Sequence, residues 1–203
     1  MTLTSAEIPA INAALVIEET EAEGPGMRLA LWVQGCPMRC AGCCNPEFLP
    51  EVPAREITAK FVLARAVARG VEGLSLLGGE PFAQAKSLAN LAQGAQALGL
   101  SVMVYSGYTL AELHAMPDPD VHALLAATDL LVDGRYDHTR RTTTRRWIGS
   151  DNQVLHFLTS KYVSSDPRFA QANTVELRMV GGRLLLNGWP TLGARTRVEE
   201  RKR

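Results

Sequence analysis

The stretch GCPMRCAGCC, from Gly35 to Cys44, contains all four cysteines of the 203-residue chain. Cys36, Cys40 and Cys43 follow the spacing Cys-x3-Cys-x2-Cys, and the fourth cysteine comes directly after the third. A disulfide framework spreads its cysteines along the chain, and adjacent cysteines do not readily reach the Cα separation that a disulfide needs. We therefore interpret this stretch as a metal-binding loop.

Three thiolates on one short loop suit an iron–sulfur cluster. A cubane held by three protein thiolates keeps one iron open for another ligand, which a catalytic cluster needs. Structural zinc requires four well-placed ligands, and no histidine lies near the cysteines. An electron-transfer ferredoxin requires a fourth cysteine elsewhere, and the chain has none. Zinc and electron transfer remain the less favoured interpretations.

Composition excludes several classes of protein. The chain is 46% hydrophobic and 21% charged, which is typical of a globular protein rather than a disordered one. It has no apolar run long enough for a membrane span. A signal peptide begins with a positively charged region, but the first twenty residues contain no lysine or arginine. We therefore expect a cytoplasmic protein without a membrane partner.

Charge is unevenly distributed although the net charge is zero. Residues 1–133 hold 7 basic and 15 acidic side chains, whereas residues 134–203 hold 14 and 6. A nucleic-acid-binding domain usually has a basic excess over its whole length, so we expect no direct contact with nucleic acid. The second half offers a basic surface to an anionic partner, or simply a solvated face.

Predicted strands alternate with predicted helices. This pattern indicates βαβ units and a parallel sheet, and the units are too few for a complete eight-fold barrel. We therefore predict an α/β fold, specifically an open, partial TIM-like barrel of parallel strands. The predicted strands are Met27–Val33, Leu74–Leu77, Leu100–Tyr105, Asp129–Val132 and Gln153–Leu158.

Helices are predicted from apolar spacing and from capping signals. Ile57, Phe61, Ala64 and Ala68 recur at helical spacing, and Gly70 predicts the end of that helix. A second helix is predicted over about residues 83–98. The remaining helix signals are a capping box from Thr109 to Glu112 and an N-cap with a following proline at Asp118-Pro119.

Four turns with chemically versatile residues follow predicted strands. They are the cysteine loop, GGEP (Gly78–Pro81), SGY (Ser106–Tyr108) and DGR (Asp133–Arg135). Since the active site of parallel α/β folds lies at the carboxyl ends of the strands, we predict the site at this edge.

After Leu158 the pattern changes to that of a β-hairpin. Apolar and polar residues alternate from Val175 to Met179, Gly181-Gly182 predicts a two-residue turn, and Leu184–Leu186 begins the return strand. We therefore predict two parts: a core domain over residues 1–158, and an extension over residues 159–203 made of this hairpin and a frayed basic tail at 193–203.

Several stretches together carry a family resemblance. Gly24–Arg28 (GPGMR) and Gly35–Pro46 (GCPMRCAGCCNP) resemble the radical SAM glycyl-radical-activating enzymes, and most of all the activases of anaerobic (class III) ribonucleotide reductases. The resemblance covers about residues 14–158. The further matching stretches, in the same order, are SLLGGEP (Ser75–Pro81), VYSGYTLAEL (Val104–Leu113), DLLVDGRY (Asp129–Tyr136) and WIGSDNQVLH (Trp147–His156).

The resemblance implies a radical SAM barrel and its chemistry. Cys36, Cys40 and Cys43 would each bind one iron of a [4Fe-4S] cluster, and S-adenosylmethionine (SAM) would chelate the fourth. One electron would split the sulfonium into methionine and a 5′-deoxyadenosyl radical, which would take a hydrogen atom from a glycine Cα. The implied partners are a glycyl radical enzyme, namely an anaerobic ribonucleotide reductase, and a flavodoxin or ferredoxin as electron donor.

The resemblance also implies roles for other residues, each with an ordinary turn or solvated loop as the alternative. Gly78, Gly79, Glu80 and Pro81 would line the methionine part of SAM. Gly42 and the backbone of Cys43 and Cys44 would lie against its adenosine. The other implied positions are Asp133 and Arg135 as SAM contacts, Ser106 and Tyr108 in the site wall, Asn152 and Gln153 at the pocket or partner groove, and the basic cluster Arg140, Arg141, Arg145 and Arg146 as a docking patch or anion contact.

Two departures from the family keep other functions open. The third cysteine is usually followed by an aromatic residue, where this chain has Cys44, and the hairpin extends beyond the shorter members. A radical SAM enzyme acting on a small molecule, nucleoside or peptide is therefore the alternative. A metal-stabilised or electron-transfer module is the alternative outside enzymes.

Overall fold

The computed structural model describes residues 8–180 and 183–188, and a seven-stranded sheet forms its centre. Four helices and a separate two-stranded hairpin accompany the sheet within these residues. The strands are β1 (Ile11–Thr20), β2 (Arg28–Val33), β3 (Arg55–Ile57), β4 (Gly73–Gly78), β5 (Ser101–Tyr105), β6 (Leu130–Asp133), β7 (Val154–Phe157), β8 (Val175–Val180) and β9 (Arg183–Gly188), and the helices are α1 (Ala59–Arg69), α2 (Ala85–Ala97), α3 (Leu110–Ala115) and α4 (Pro119–Ala126).

The strand order is β3-β1-β2-β4-β5-β6-β7. The four neighbouring strands β2, β4, β5 and β6 run parallel. The predicted parallel sheet is confirmed for these strands. The strand predicted at Gln153–Leu158 is present as β7, but it pairs antiparallel with β6. Residues 134–153 contain a 3-10 turn and no crossover helix, so the chain returns in the opposite direction.

Two strands escaped the sequence prediction. β1 pairs antiparallel with β2, and the short β3 pairs antiparallel with β1. The buried side chains of Ile11 and Ala13 alternate with less buried ones, which is the pattern of a strand with one face on the core. These two strands extend the sheet beyond β2.

All four helices are confirmed, with one error in the orientation of α1. Gly70 ends α1 in the left-handed conformation, and Thr109 and Glu112 form the predicted capping box at α3. The predicted apolar stripe through Phe61 is wrong, because that ring is 40% exposed, whereas Val62 and Ala66 are buried. Arg55 lies over the Phe61 ring at 5.4 Å, which gives the exposed ring a partner.

One face of the sheet is covered by the helices and the other is not. Leu29, Leu31, Leu74 and Leu76 are fully buried in the core that includes side chains of all four helices. The opposite face carries a smaller cluster in which Met103, Leu130 and Val132 contact Trp147, Ile148 and Tyr162 from the later part of the chain.

The predicted C-terminal hairpin is confirmed as β8 and β9, which pair antiparallel with Leu177 opposite Leu186. The predicted turn at Gly181-Gly182 and the predicted tail at 193–203 lie outside the described residues. The side chains of Tyr162 and Phe169, which precede the hairpin, pack on the core. In the described part of the chain, no helix combines the length and the apolar character needed to cross a bilayer.

Candidate functional site

The cysteine loop leaves the sheet at the carboxyl end of β2 and is closed at its base by the main chain. The N–H of Gly35 donates to the carbonyl of Phe48 at 2.9 Å, and that of Cys36 donates to Leu49 at 3.1 Å. Gln34 Nε2 donates to the carbonyl of Pro50 at 2.8 Å. These bonds bring the two ends of the loop together, so the cysteines project from a fixed neck.

The four thiols differ in their surroundings. Cys36 is 6% exposed, Cys40 and Cys43 are half-buried, and Cys44 is exposed. Burial raises the pKa of Cys36 and of Cys40. A hydrogen bond with Cys43 is the main cause of the raised pKa of Cys44. Because desolvation disfavours a bare thiolate, coordination to a metal would have to stabilise the charged form here.

The donor set fits an iron–sulfur cluster. Among the described residues, no group of three His, Cys, Asp or Glu side chains gathers closely enough for a single metal ion. A cubane presents its irons at separate corners, so its cysteine ligands need not converge on one point. Cys36, Cys40 and Cys43 share one loop, and soft thiolate sulfur is the ligand that such clusters take.

The turn at Gly78-Gly79 lies directly against the start of the cysteine loop. Gly79 N–H donates to Val33 O at 2.7 Å, and Glu80 N–H donates to Gly35 O at 2.9 Å. A Cβ on Gly79 would stand 2.0 Å from Gly35 O, so only glycine permits this approach. These two N–H groups are therefore used inside the protein, and a ligand would have to bind other groups of the turn.

Glu80 joins the ends of two neighbouring strands. Its carboxylate is 1% exposed and accepts hydrogen bonds from Phe82 N, Ser106 Oγ and Gly107 N at 3.0, 3.0 and 2.8 Å. Burial raises the pKa of Glu80 to about 7, although these hydrogen bonds act in the opposite direction. Ser106 Oγ also accepts from Tyr108 N at 3.0 Å. The predicted residues of the GGEP and SGY turns thus form one connected network, in which buried Pro81 begins a 3-10 turn.

Asp133 and Arg135 are placed differently although only one residue separates them. Asp133 Oδ2 accepts from Leu110 N at 2.6 Å and lies 2.9 Å from His156 Nε2, so this carboxylate fixes the start of α3. Arg135 Nε lies 3.3 Å from the sulfur of Met38, inside the cysteine loop. Arg135 is therefore at the cysteine loop, whereas Asp133 holds the start of α3.

The segment that follows Arg135 also packs on the cysteine loop, which the sequence did not reveal. A backbone hydrogen bond from Tyr136 lowers the pKa of Cys40, against the effect of burial. A Cβ on Gly42 would stand 2.9 Å from the Cβ of His138. Gly42 is therefore required for this close contact, at a φ of +69° that also favours glycine.

Asn152 and Gln153 hold the Asp-Gly-Arg turn in place. Asn152 Nδ2 donates to the carbonyl of Arg135 at 2.8 Å, and Gln153 Nε2 donates to that of Gly134 at 2.9 Å. Gln153 Oε1 accepts from the backbone N–H of Ser150 at 3.1 Å. Both amides therefore act on the site through the position of Arg135.

The basic cluster does not form one free patch. Arg145 Nη1 donates to the carbonyls of Asp151 and Gln153 at 3.1 and 2.9 Å. Arg146 is 9% exposed, lies over the Trp147 ring at 4.3 Å and donates to Arg168 O at 3.2 Å. These two guanidinium groups are used within the fold, whereas Arg140 and Arg141 are exposed.

Glu23 is a residue of the site region that the sequence analysis missed. Ser75 Oγ donates to its carbonyl at 2.6 Å, which fixes the residue on the helix-free face of the sheet. Burial, and then the charge of Glu176, raises the pKa of Glu23 to about 8, while a hydrogen bond from the backbone of Gly188 acts against them. The available sequence signal for Glu23 was its position directly before the Gly24–Arg28 stretch.

Comparisons with known proteins match most of this region. A family model described as a 4Fe-4S single cluster domain matches residues 22–156. Proteins named anaerobic ribonucleoside-triphosphate reductase-activating protein are similar to the chain: that of Vibrio cholerae is 33% identical over 67% of this chain and 91% of its own length. The corresponding figures are 30%, 66% and 91% for Escherichia coli K12, and 29%, 65% and 85% for phage T4.

Among solved structures, QueE from Escherichia coli aligns over 50% of this chain and 53% of its own, with 20% identity and a TM-score of 0.38. This likeness is too slight to define a shared fold.

Proposed function

The chain belongs to the family of anaerobic ribonucleoside-triphosphate reductase-activating proteins, and we propose that it activates an anaerobic ribonucleotide reductase by generating a radical on one of its glycines. It is a radical SAM enzyme that works with a [4Fe-4S] cluster and SAM. The observation that carries the proposal is the three-cysteine loop at the carboxyl end of β2, inside the span matched by the cluster domain.

Cys36, Cys40 and Cys43 are the proposed cluster ligands, with one iron each. The fixed neck of the loop and the thiol donors support this assignment. Cys44 is the cysteine outside the set, because its side chain is exposed next to Cys43. Held by these three cysteines, the cluster together with SAM would supply the one-electron radical chemistry that removes a hydrogen atom from a glycine.

The proposed SAM site lies between the Gly78–Pro81 turn and the Arg135 turn, which approach the cysteine loop from two neighbouring regions. At this site the chain's own residues would bind SAM and orient it. Glu80 holds the Ser106-Gly107 turn, and Asp133 holds the start of α3, so both act as positioning residues. Gly42 leaves room for the close packing of the loop.

The remaining proposals concern the setting of the site. The sheet would curve into an open, partial barrel with its helix-free face inside, and the four parallel strands with the helices packed on one face support this shape. The core domain would end near residue 158, with the extension beyond it. The electron donor would be a flavodoxin or ferredoxin, and the site of action the reducing cytoplasm, where four free cysteines persist.

The test is anaerobic reconstitution with iron and sulfide, followed by reduction with dithionite in the presence of SAM. We expect 5′-deoxyadenosine, and a glycyl-radical EPR doublet when the anaerobic reductase is added. Cys36→Ala, Cys40→Ala and Cys43→Ala should each abolish SAM cleavage, whereas the matched control Cys44→Ala should keep near-normal iron content.

Two results would contradict the proposal. Full SAM cleavage by the Cys36→Ala variant would remove the cluster assignment. SAM cleavage without a radical on the reductase would favour a radical SAM enzyme with another substrate.

A further inference from the structure

The helix-free face of the parallel strands carries its side chains in layers. Side chains alternate along a strand, so every second residue of β2, β4, β5 and β6 points to this face. Trp32 is opposite Leu77, and Tyr105 is opposite Val132. Leu77 and Tyr105 directly follow the last paired residues of β4 and β5, so they continue the same row. We call this row, which is nearest the carboxyl ends of the strands, the upper layer: Trp32, Leu77, Tyr105 and Val132.

A second layer fills the space below the upper layer. The same register places Ala30 opposite Ser75, Ser75 opposite Met103, and Met103 opposite Leu130. All four side chains are completely buried. Arg28, which is also fully buried, lies towards the amino end and donates through Nε to Ser75 Oγ at 2.7 Å. The space along this face is therefore packed with side chains rather than open, as the interior of a parallel barrel usually is.

The upper layer lies directly beneath the turns of the proposed site. Three of its members are each followed at once by one of the turns GGEP, SGY and DGR. The fourth, Trp32, stands four residues before Cys36. Phe48, from the neck of the cysteine loop, packs against the cluster that contains Trp32 and Leu77. A molecule bound among these turns would therefore have the upper layer as its lower limit.

The side chains of the upper layer are bulky and buried. Trp32 is 5% exposed, Leu77 is 6% exposed and Val132 is 1% exposed, although they lie on the helix-free face. The hydroxyl of Tyr105 lies 3.5 Å from the carbonyl of Glu23, so this side chain extends across the face. Close-packed interiors resist displacement of this kind of side chain. A substrate that reaches the site therefore enters from the carboxyl edge and goes no deeper than this row.

We propose that the upper layer is the floor of the reaction site and fixes the depth at which hydrogen is taken from the substrate, and this inference rests on the proposed function. The reacting C–H bond is held at the level of the turns and not between the strands. Trp32, Leu77 and Tyr105 act as positioning residues, because they support the reacting groups from below without taking part in the chemistry.

This depth selects a class of substrate. A small molecule is usually enclosed by a concave pocket that buries most of its surface, and the packed layers leave no such room between the strands. A residue exposed on another protein can reach the carboxyl edge from outside. Glycine suits a shallow site best, because it has no side chain that must fit between the mouth and the floor.

The experiment compares two leucines at consecutive positions of β4. Leu77→Ala opens the floor, whereas the matched control Leu76→Ala makes the same truncation on the face that the helices cover. The reconstituted full-length chain receives dithionite, SAM and the anaerobic reductase, and the SAM molecules cleaved per glycyl radical formed are counted. We expect this ratio to rise about tenfold in Leu77→Ala, because a shift of about 1 Å at a reacting centre can cost a factor of about 100. Leu76→Ala should keep the ratio of the unchanged chain.

Two further variants separate positioning from stability. Leu77→Met nearly conserves the side-chain volume and should restore the ratio of the unchanged chain. Leu77→Val, a smaller truncation, should give an intermediate rise, and it keeps the test possible if alanine prevents folding. An unchanged ratio in the truncated Leu77 variants would overturn the proposal, and so would an equal rise in Leu76→Ala.

A second measurement needs neither the cluster nor the reductase. Acrylamide quenches the fluorescence of a tryptophan that it can reach, and Trp32 is opposite Leu77. In the metal-free chain, Leu77→Ala should raise the quenching, because the gap beside the Trp32 ring opens towards the turns. Adding Trp32→Phe should remove this increase, and Leu76→Ala should show none. Equal quenching in the two leucine variants would contradict the floor.

Failure of the proposed function gives a different result. If the unchanged chain cleaves SAM but never forms a radical on the reductase, the reductase is not the substrate. The quenching measurement then decides alone whether the upper layer closes the site from below.

Discussion

The face of the central sheet that the helices cover is apolar, whereas the opposite face buries charged and hydroxyl groups. Alternate residues of the same strands make this difference: Leu74 and Leu76 of β4 point to the helices, and Ser75 between them points the other way. The covered face therefore provides hydrophobic stability. The helix-free face uses buried polar groups to hold the turn at residues 23–25 in place.

Arg28 is the clearest example on the helix-free face. It begins β2, is fully buried, and donates through Nε to Ser75 Oγ at 2.7 Å and through Nη1 to Ser101 Oγ at 2.8 Å. It also donates to the carbonyl of Pro25 at 3.1 Å. One guanidinium thus connects three parallel strands to the Gly24–Arg28 turn, since Ser75 and Ser101 belong to β4 and β5.

The largest effect on stability is expected from Arg28→Met. The substitution leaves several buried acceptors without a donor, and we expect the free energy of unfolding to fall by about 4 kcal/mol. Urea unfolding followed by tryptophan fluorescence measures the change. The matched control is the exposed Arg69→Met, whose loss should be much smaller because its ion pairs with Glu18 and Glu19 are open to solvent. Similar losses in the two variants would mean that the polar face does not stabilise the fold.

A somewhat smaller effect is expected from Leu76→Ala on the covered face. Leu76 is fully buried, so its truncation leaves a cavity against the helices, at a cost of about 3 kcal/mol. The same urea titration applies, with the 53% exposed Leu98→Ala as the control. SAM cleavage by the folded variant should remain, because no loop of the site depends on this side chain. Selective loss of cleavage would contradict the division between the two faces.

The smallest effect is expected in the pH dependence of the free energy of unfolding, to which Glu80 contributes. Its pKa is raised from the ordinary 4.5 to about 7, so the folded protein binds this proton more tightly than the unfolded chain. The stabilisation that comes from this proton is therefore fully present below pH 4.5 and is lost as the pH rises through about 7.

Glu80→Gln should remove this part of the pH dependence. Urea titrations of both proteins between pH 4.5 and 8 give the difference curve, in which the contribution of Glu23 cancels. A flat difference curve would show that the Glu80 carboxyl is not perturbed by its burial.

The covered face was largely predictable from the sequence. Parallel strands buried on a helix layer appear as short apolar runs, such as Leu74–Leu77, and the turns after them carry the site residues. The capping box at Thr109 and the stop at Gly70 are local signals, which depend on few neighbours. The orientation of α1 was not predictable in this way, because the exposed Phe61 ring has a surface partner in Arg55.

The helix-free face was not predictable, because its polar groups depend on distant contacts. Arginine is normally solvated, and only the positions of Ser75 and Ser101 explain why Arg28 is buried. The cysteine motif was identified from spacing alone. The contact of Gly42 with His138 joins residues far apart in sequence, so no local sequence pattern predicts it.

The hydrogen bonds at the neck of the cysteine loop affect what happens to the protein when it is exposed to air. The bonds from Gly35 to Phe48 and from Cys36 to Leu49 use main-chain atoms alone, so they survive when the thiols lose their iron. A chain that has lost its iron to oxygen should therefore keep the main-chain hydrogen bonds that close the base of the cysteine loop. Restoring the cluster would then require iron, sulfide and reducing conditions, but no refolding of the sheet.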